Sequence, residues 1–267
     1  MAWSVWPEFS LMMDSYQRLN QILDILRKEC PWDRVQTIPS LRYLTIEETY
    51  ELSEAILAMD AEEMRKELGD LFMHLLVYAK IAQDEHLFTL DEVLHGICDK
   101  LLSRHPHIAL PDREGVLHGG PQNSRPAWEQ VKMKEGRRAG LEGVPKSLPT
   151  LVKSIRLQEK AAGVGYEFPS AEEALVKVKE EQAELAEALQ TPDDREHIEE
   201  EYGDLLFAIV KWGRLHGLNA DDALARANQK FQYRFSYMEE AAAAQGRNIS
   251  ELTIEEMCAL WQEAKQR

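Results

Sequence analysis

Residues 46–56 read IEETYELSEAI, and residues 179–189 read KEEQAELAEAL. Each is followed by a second acidic signature, Glu67-Leu68-Gly69-Asp70 in one case and Glu201-Tyr202-Gly203-Asp204 in the other. Glu48 and Glu51 precede Glu181 and Glu184 by 133 residues, and Asp70 precedes Asp204 by 134. An internal repeat of this period means two copies of one structural unit, each with its own core. What repeats is a set of carboxylates, which folding alone seldom requires.

The surrounding pattern is helical. Apolar residues recur at three- and four-residue spacing, and strand-like alternation of β-branched residues is nearly lacking. The spacing predicts helices near 10–29, 44–59, 61–83, 89–104 and 126–138, then near 148–160, 170–190, 193–216, 219–244 and 253–266. Asp60 and Asp193 stand where N-caps would open the second helix of each acidic pair. The Pro- and Gly-rich stretch 105–125 reads as a loop, and 139–149 as a linker. The expected fold is all-α, with two tandem helical bundles: residues 1–138, the linker 139–149, and residues 150–267.

The copy extends past the acids. Lys100 and Arg104 are matched by Lys230 and Arg234, each pair four apart on a helix, and Trp128 with Lys132 is matched by Trp261 with Lys265. On a helix, Glu180, Glu181, Glu184 and Glu187 fall within about one third of the circumference. Glu201 and Asp204, three apart, also share a face. A short turn between the two helices would bring the acidic faces together. Clustered carboxylates repel and their pKa values rise unless a cation joins them. Oxygen-only ligands favour Mg²⁺ or Mn²⁺ over zinc. Glu67 and Asp70, like Glu201 and Asp204, lead into strongly apolar helices that are expected to be largely buried, so a solvated acidic face explains the duplicated set poorly. Beside such a site Lys100/Arg104 and Lys230/Arg234 become candidate phosphate ligands. Taken alone, they read as bases near a helix end.

A net charge of −16 argues against a nucleic-acid polymer as the ligand. No run reaches the length of a membrane span. Cys30, Cys98 and Cys258 are scattered without zinc or C-x-x-C spacing, and the N-terminal stretch lacks signal-peptide character. The expectation is a cytoplasmic protein with reduced thiols.

The order of these segments resembles the all-α nucleoside triphosphate pyrophosphohydrolases, and within them the MazG family. The likeness is carried by E-E-x-x-E and E-x-x-D on paired helices, Cys30-Pro31-Trp32-Asp33, Arg104-His105-Pro106-His107, Trp128-Glu129 and Asn228-Gln229-Lys230-Phe231. The resemblance implies Mg²⁺-dependent hydrolysis of a nucleoside triphosphate to the monophosphate and pyrophosphate. By the same resemblance Glu181, Glu184, Glu201 and Asp204 hold the metal, with Glu200 as a further ligand or water-activating base. Lys230 and Arg234 hold the triphosphate, with Asn228 beside them, and Trp261 lies near the nucleotide. Glu48, Glu51, Glu67 and Asp70 are the first copy's metal ligands, and the chain is expected to form a homodimer.

The copies differ at one telling position: Glu200 corresponds to Lys66, whose ammonium would oppose or replace a metal. The second copy is therefore expected to be the main catalytic site. His74, which stands where the second copy has Ala208, reads as a hydrogen-bonded rim residue rather than a ligand. Two other readings compete. A di-iron carboxylate bundle would need two E-x-x-H motifs, and Glu92/His95 supplies one. A nucleotide-binding helical protein without turnover would have little use for a water-activating carboxylate.

Overall fold

The computed structural model describes residues 7–104, 141 and 143–266 of the 267. The chain falls into two compact units, Met1–His118 and Gly119–Arg267. The sequence-read boundary at 138 lies outside the described residues. Among those described, all regular structure is helical.

In the first unit α1 spans Pro7–Glu29, α2 Ile38–Ala58, α3 Ala61–Asp84 and α4 Leu90–Arg104. In the second, α5 spans Thr150–Gly163, α6 Ala171–Ala188, α7 Arg195–Leu215, α8 Ala220–Ala244 and α9 Ile254–Ala264. The expected helix at 126–138 lies outside the described residues. Residues 143–149 of the expected linker form turns and bends.

The start signals of the acid-bearing helices are duplicated with the acids. Thr37 caps α2 in a reciprocal pair with Ser40, and Ser170 caps α6 by accepting from the Glu173 amide. Asp60 caps α3 through the Glu62 and Glu63 amides, and Asp194 caps α7 through the His197 amide. The cap expected at Asp193 is thus displaced by one residue. The start expected for α2 at 44 is six residues late, because Thr37, Pro39 and Ser40 together form one N-terminal signature ahead of it.

The segments leading into these helices are tied down differently in the two units. Arg27 of α1 donates to the carbonyls of Asp33 and Gln36 at 3.1 and 3.2 Å and pairs with Asp84. In the second unit Glu167 pairs with Arg214 and Lys211 of α7, and the Lys211 ammonium lies over the Phe168 ring, 4.4 Å from its centre.

The first core gathers Leu23 of α1, Leu41 of α2, and Leu76, Val77 and Ile81 of α3, flanked by Tyr16, Leu44, Tyr78 and Leu90. The second buries many small side chains, including Ala174, Ala188, Ala208 and Ala242, which let its helices approach closely. The expectation that α3 and α7 are largely buried is not met within the chain. Leu68, Phe72 and Leu75 on α3, and Tyr202, Leu206 and Ile209 on α7, are all more than two-fifths exposed. One side of each helix packs on its own core and the other presents apolar surface.

Candidate functional site

The two-residue connection Met59–Asp60 folds α3 back along α2, so the acids of both helices meet across the pair. Carboxylate oxygens of Glu48, Glu67 and Asp70 lie within 4.8 Å of one another. Glu67 is 9% exposed, and its Oε2 is buried with no hydrogen-bond partner. Loss of hydration is the main cause that pushes the carboxyls of Glu48, Glu51 and Glu67 above their ordinary value. Charge repulsion adds to it: Asp70 and Glu51 act on Glu48, Glu67 and Glu47 on Glu51, and Glu48 and Asp70 on Glu67. All four predicted residues of the first copy thus converge.

The second unit repeats the arrangement. Oxygens of Glu181, Glu201 and Asp204 lie within 4.8 Å of one another, with Glu181 at 7% exposure. Glu184 stands beside Glu181. Its carboxyl is raised by loss of hydration, opposed by the Lys177 charge, and raised again by Glu181 and Glu180. An open cleft of about 370 Å³ is lined by Glu184, Glu187, Ala188, Thr191, His197 and Glu201. The His197 Nδ1 is 3.6 Å from Glu201.

Both donor sets fit a hard divalent cation. All the ligands are carboxylate oxygens, and oxygens on opposite sides of an octahedral Mg²⁺ stand about 4 Å apart, so small rotamer adjustments close the observed spacing. The unpartnered Glu67 oxygen and the raised carboxyls are what acids show when their counter-charge is not supplied by the protein.

Other predicted residues fall elsewhere. Glu200 is exposed on α7 and outside the Glu181–Glu201–Asp204 cluster. Lys66, its counterpart, pairs with Glu63 one turn earlier on the exposed side of α3. Its ammonium is thus paired outside the cluster, while the charge of Glu67 still acts on it. Arg234 and Trp261 do meet, across α8 and α9, with the guanidinium 5.3 Å from the indole centre, and Phe231 packs on the same ring. Asn228 and Lys230 are exposed on α8. Among the described residues no ion pair joins Lys230 or Arg234 to an acid. Lys100 is exposed on α4; the Arg104 side chain, Trp128 and Lys132 lie outside the described residues.

His74 is buried and bonded, as expected: its Nδ1 is 3.2 Å from Thr45 Oγ1, which also meets the Tyr78 hydroxyl at 2.8 Å. Glu92 accepts from the Thr89 amide and hydroxyl, and His95 bonds the Asp91 carbonyl, so this E-x-x-H motif serves the start of α4.

Sequence reasoning missed Lys177. Its Nζ is 2.7 Å from both Glu180 and Glu181. The signal was available, since a Lys three and four residues before two acids on a helix faces them.

Comparison with known proteins follows the same repeat. The model of the MazG nucleotide pyrophosphohydrolase domain matches residues 36–109 and again residues 170–238. The nucleoside triphosphate pyrophosphohydrolase of Escherichia coli K12 is 36% identical over 266 residues, covering 96% of this chain and 98% of that protein. The nucleoside triphosphate pyrophosphohydrolase/pyrophosphatase MazG of Thermotoga maritima is 37% identical over 94% of this chain and 95% of its own length.

Proposed function

The chain belongs to the MazG nucleotide pyrophosphohydrolase family and is a nucleoside triphosphate pyrophosphohydrolase, and on that premise we propose that its main catalytic site is the acidic pair α6–α7 of the second unit, working with Mg²⁺ or Mn²⁺. The observation that carries this is the convergence of Glu181, Glu201 and Asp204 within 4.8 Å, with Glu201 and the neighbouring Glu184 also lining an open cleft, in the copy that keeps a glutamate at 200.

When bound, the cation would neutralise charge on the phosphate oxygens and acidify a water. Glu181, Glu184, Glu201 and Asp204 would hold it. Glu200, exposed and next to Glu201 in the chain, accepts the proton of the attacking water. That water adds to the α-phosphorus and the α–β anhydride bond breaks. The monophosphate gains the hydroxyl and pyrophosphate leaves. Lys230 and Arg234 hold the triphosphate and steady the leaving charge, with Asn228 nearby. Trp261, already faced by Arg234, offers a flat surface to the base. The first unit, with Glu48, Glu51, Glu67 and Asp70, is a second carboxylate set that is weaker, differently selective or structural, with Lys100 and Arg104 as its candidate phosphate ligands.

We take the active form to be a cytoplasmic homodimer acting on free nucleotides and not on nucleic-acid polymers. The apolar stripes on α3 and α7 support a second copy as their cover. The net charge of −16 supports the exclusion of polymers.

Product analysis tests the reading. Monophosphate and pyrophosphate should form from nucleoside triphosphates, cease with a chelator and resume with Mg²⁺ or Mn²⁺. Undiminished turnover in excess chelator would contradict the metal assignment.

A further inference from the structure

The inference rests on the metal reading of α6–α7 and concerns a residue that reading does not use. Lys177 lies on α6, three and four residues before Glu180 and Glu181, with Nζ 2.7 Å from a carboxylate oxygen of each. Glu181 is nearly buried and belongs to the Glu181–Glu201–Asp204 cluster. Glu180 is exposed and outside it. An ammonium therefore stands against the cluster, held on its other side by a carboxylate that is not part of the site.

The first unit does the opposite with the same acids. The residue 133 positions before Lys177 is Leu44, which packs against the first core. Among the described residues no Lys or Arg pairs with Glu48, Glu51, Glu67 or Asp70, and the Glu67 Oε2 is buried without a partner. Among the described residues, the two carboxylate sets thus differ in that a lysine pairs directly with the second and none with the first.

We propose that Lys177 is a built-in counter-cation of the second site, one that a divalent cation displaces from Glu181 and that then turns, still tethered by Glu180, toward the triphosphate. The metal alone must compete with an ammonium for Glu181. The triphosphate relieves that competition by giving the ammonium a new anionic partner. Metal and triphosphate therefore bind the second site with positive coupling, and each raises the affinity for the other by the same factor. Among the described residues no lysine or arginine pairs with an acid of the first site, which takes a divalent cation without nucleotide.

The experiment counts bound Mn²⁺ on the full chain by electron paramagnetic resonance, with and without a triphosphate analogue whose α–β bridge is a methylene group. Asp70→Ala removes the first site, so the second is read alone, and circular dichroism verifies that each variant is folded. In that background, Lys177→Met should tighten Mn²⁺ binding without nucleotide by about twofold to fivefold, the scale of one partly exposed ion pair, and weaken analogue binding. Lys177→Arg, which keeps the charge, should retain the coupling. If Lys177→Met leaves Mn²⁺ affinity unchanged or lowers it, Lys177 is an ordinary helix ion pair and the proposal is overturned. Failure of the Asp70→Ala protein to bind Mn²⁺ at all, whether or not it also carries Lys177→Met, would instead overturn the metal reading beneath it.

Discussion

Glu48 and Glu67, on the paired helices α2 and α3, bring carboxylate oxygens within 4.8 Å of each other, and one oxygen of Glu67 is buried with no hydrogen-bond partner. Without a cation this is a destabilising arrangement, held in place by packing elsewhere. The folded carboxyls of Glu48, Glu51 and Glu67 lie above the ordinary value of 4.5, so between 4.5 and those higher values the folded state binds more protons than the unfolded state. Metal-free stability of the first unit should therefore fall as pH rises through that window. Glu67→Gln should raise the melting temperature in chelator by a few degrees and blunt the rise that Mg²⁺ produces in the wild type. Thermal melts with and without metal, across pH, check both effects.

A separate pair works in the other direction. Arg247 grips Glu256 with both terminal nitrogens, at 2.8 and 3.1 Å, and Glu256 also caps α9 through the Thr253 amide. The Arg247 bond and the backbone amide hold the Glu256 carboxyl down to about 2. The stabilisation is present above the unfolded value of 4.5 and is lost as pH falls toward 2. Arg247→Met should flatten this acid limb of the stability curve while leaving the limb above neutrality unchanged. Denaturant titrations at several pH values would show it.

Met59 closes α2 in the left-handed region, at φ 55°, and is 79% exposed. The helix ends there because the Met59 and Asp60 amides turn back to carbonyls of its last turn. A side chain at this backbone conformation is strained, and its exposure means little packing is lost on removal. Met59→Gly should stabilise the first unit by about 0.5–1 kcal/mol, net of the entropy glycine adds to the unfolded chain. A lower denaturation midpoint in the variant would show that the side chain makes a contact worth more than the strain.

The stripe Leu68, Phe72 and Leu75 on α3, and Leu206 with Tyr202 and Ile209 on α7, present apolar area to solvent. If these faces join two copies, Phe72→Glu or Leu206→Glu should shift sedimentation toward the monomer, since a carboxylate in a dry interface costs several kcal/mol. A dimer undisturbed by both would place the interface elsewhere.

Much of this was legible in the sequence, and for a physical reason. Charges that repeat at fixed offset within a helical pattern fix which faces must meet, so Glu48/Glu67/Asp70 and Glu181/Glu201/Asp204 were found as sets. The cap at Asp60 sits beside an apolar run that announces it. Two kinds of feature were less visible. Burial of α3 and α7 was overestimated because periodicity reports which faces are apolar, not whether the chain itself covers them. The partners of Lys66 and Lys177 were not legible because a long side chain chooses among acids one turn away on either side. Lys66 pairs back to Glu63, whereas Lys177 reaches forward to Glu181. Only the folded helix decides between those directions.

The central claim is that the second acidic pair carries the turnover. The most direct measurement is pyrophosphate release from a triphosphate with saturating Mg²⁺ by Asp204→Ala and, separately, by Asp70→Ala. Asp204→Ala should lose at least about a hundredfold in kcat, on the scale of removing one member of a preorganised electrostatic site, while Asp70→Ala keeps most of the wild-type rate. Loss in Asp70→Ala with turnover preserved in Asp204→Ala would place the chemistry in the first unit and contradict that claim.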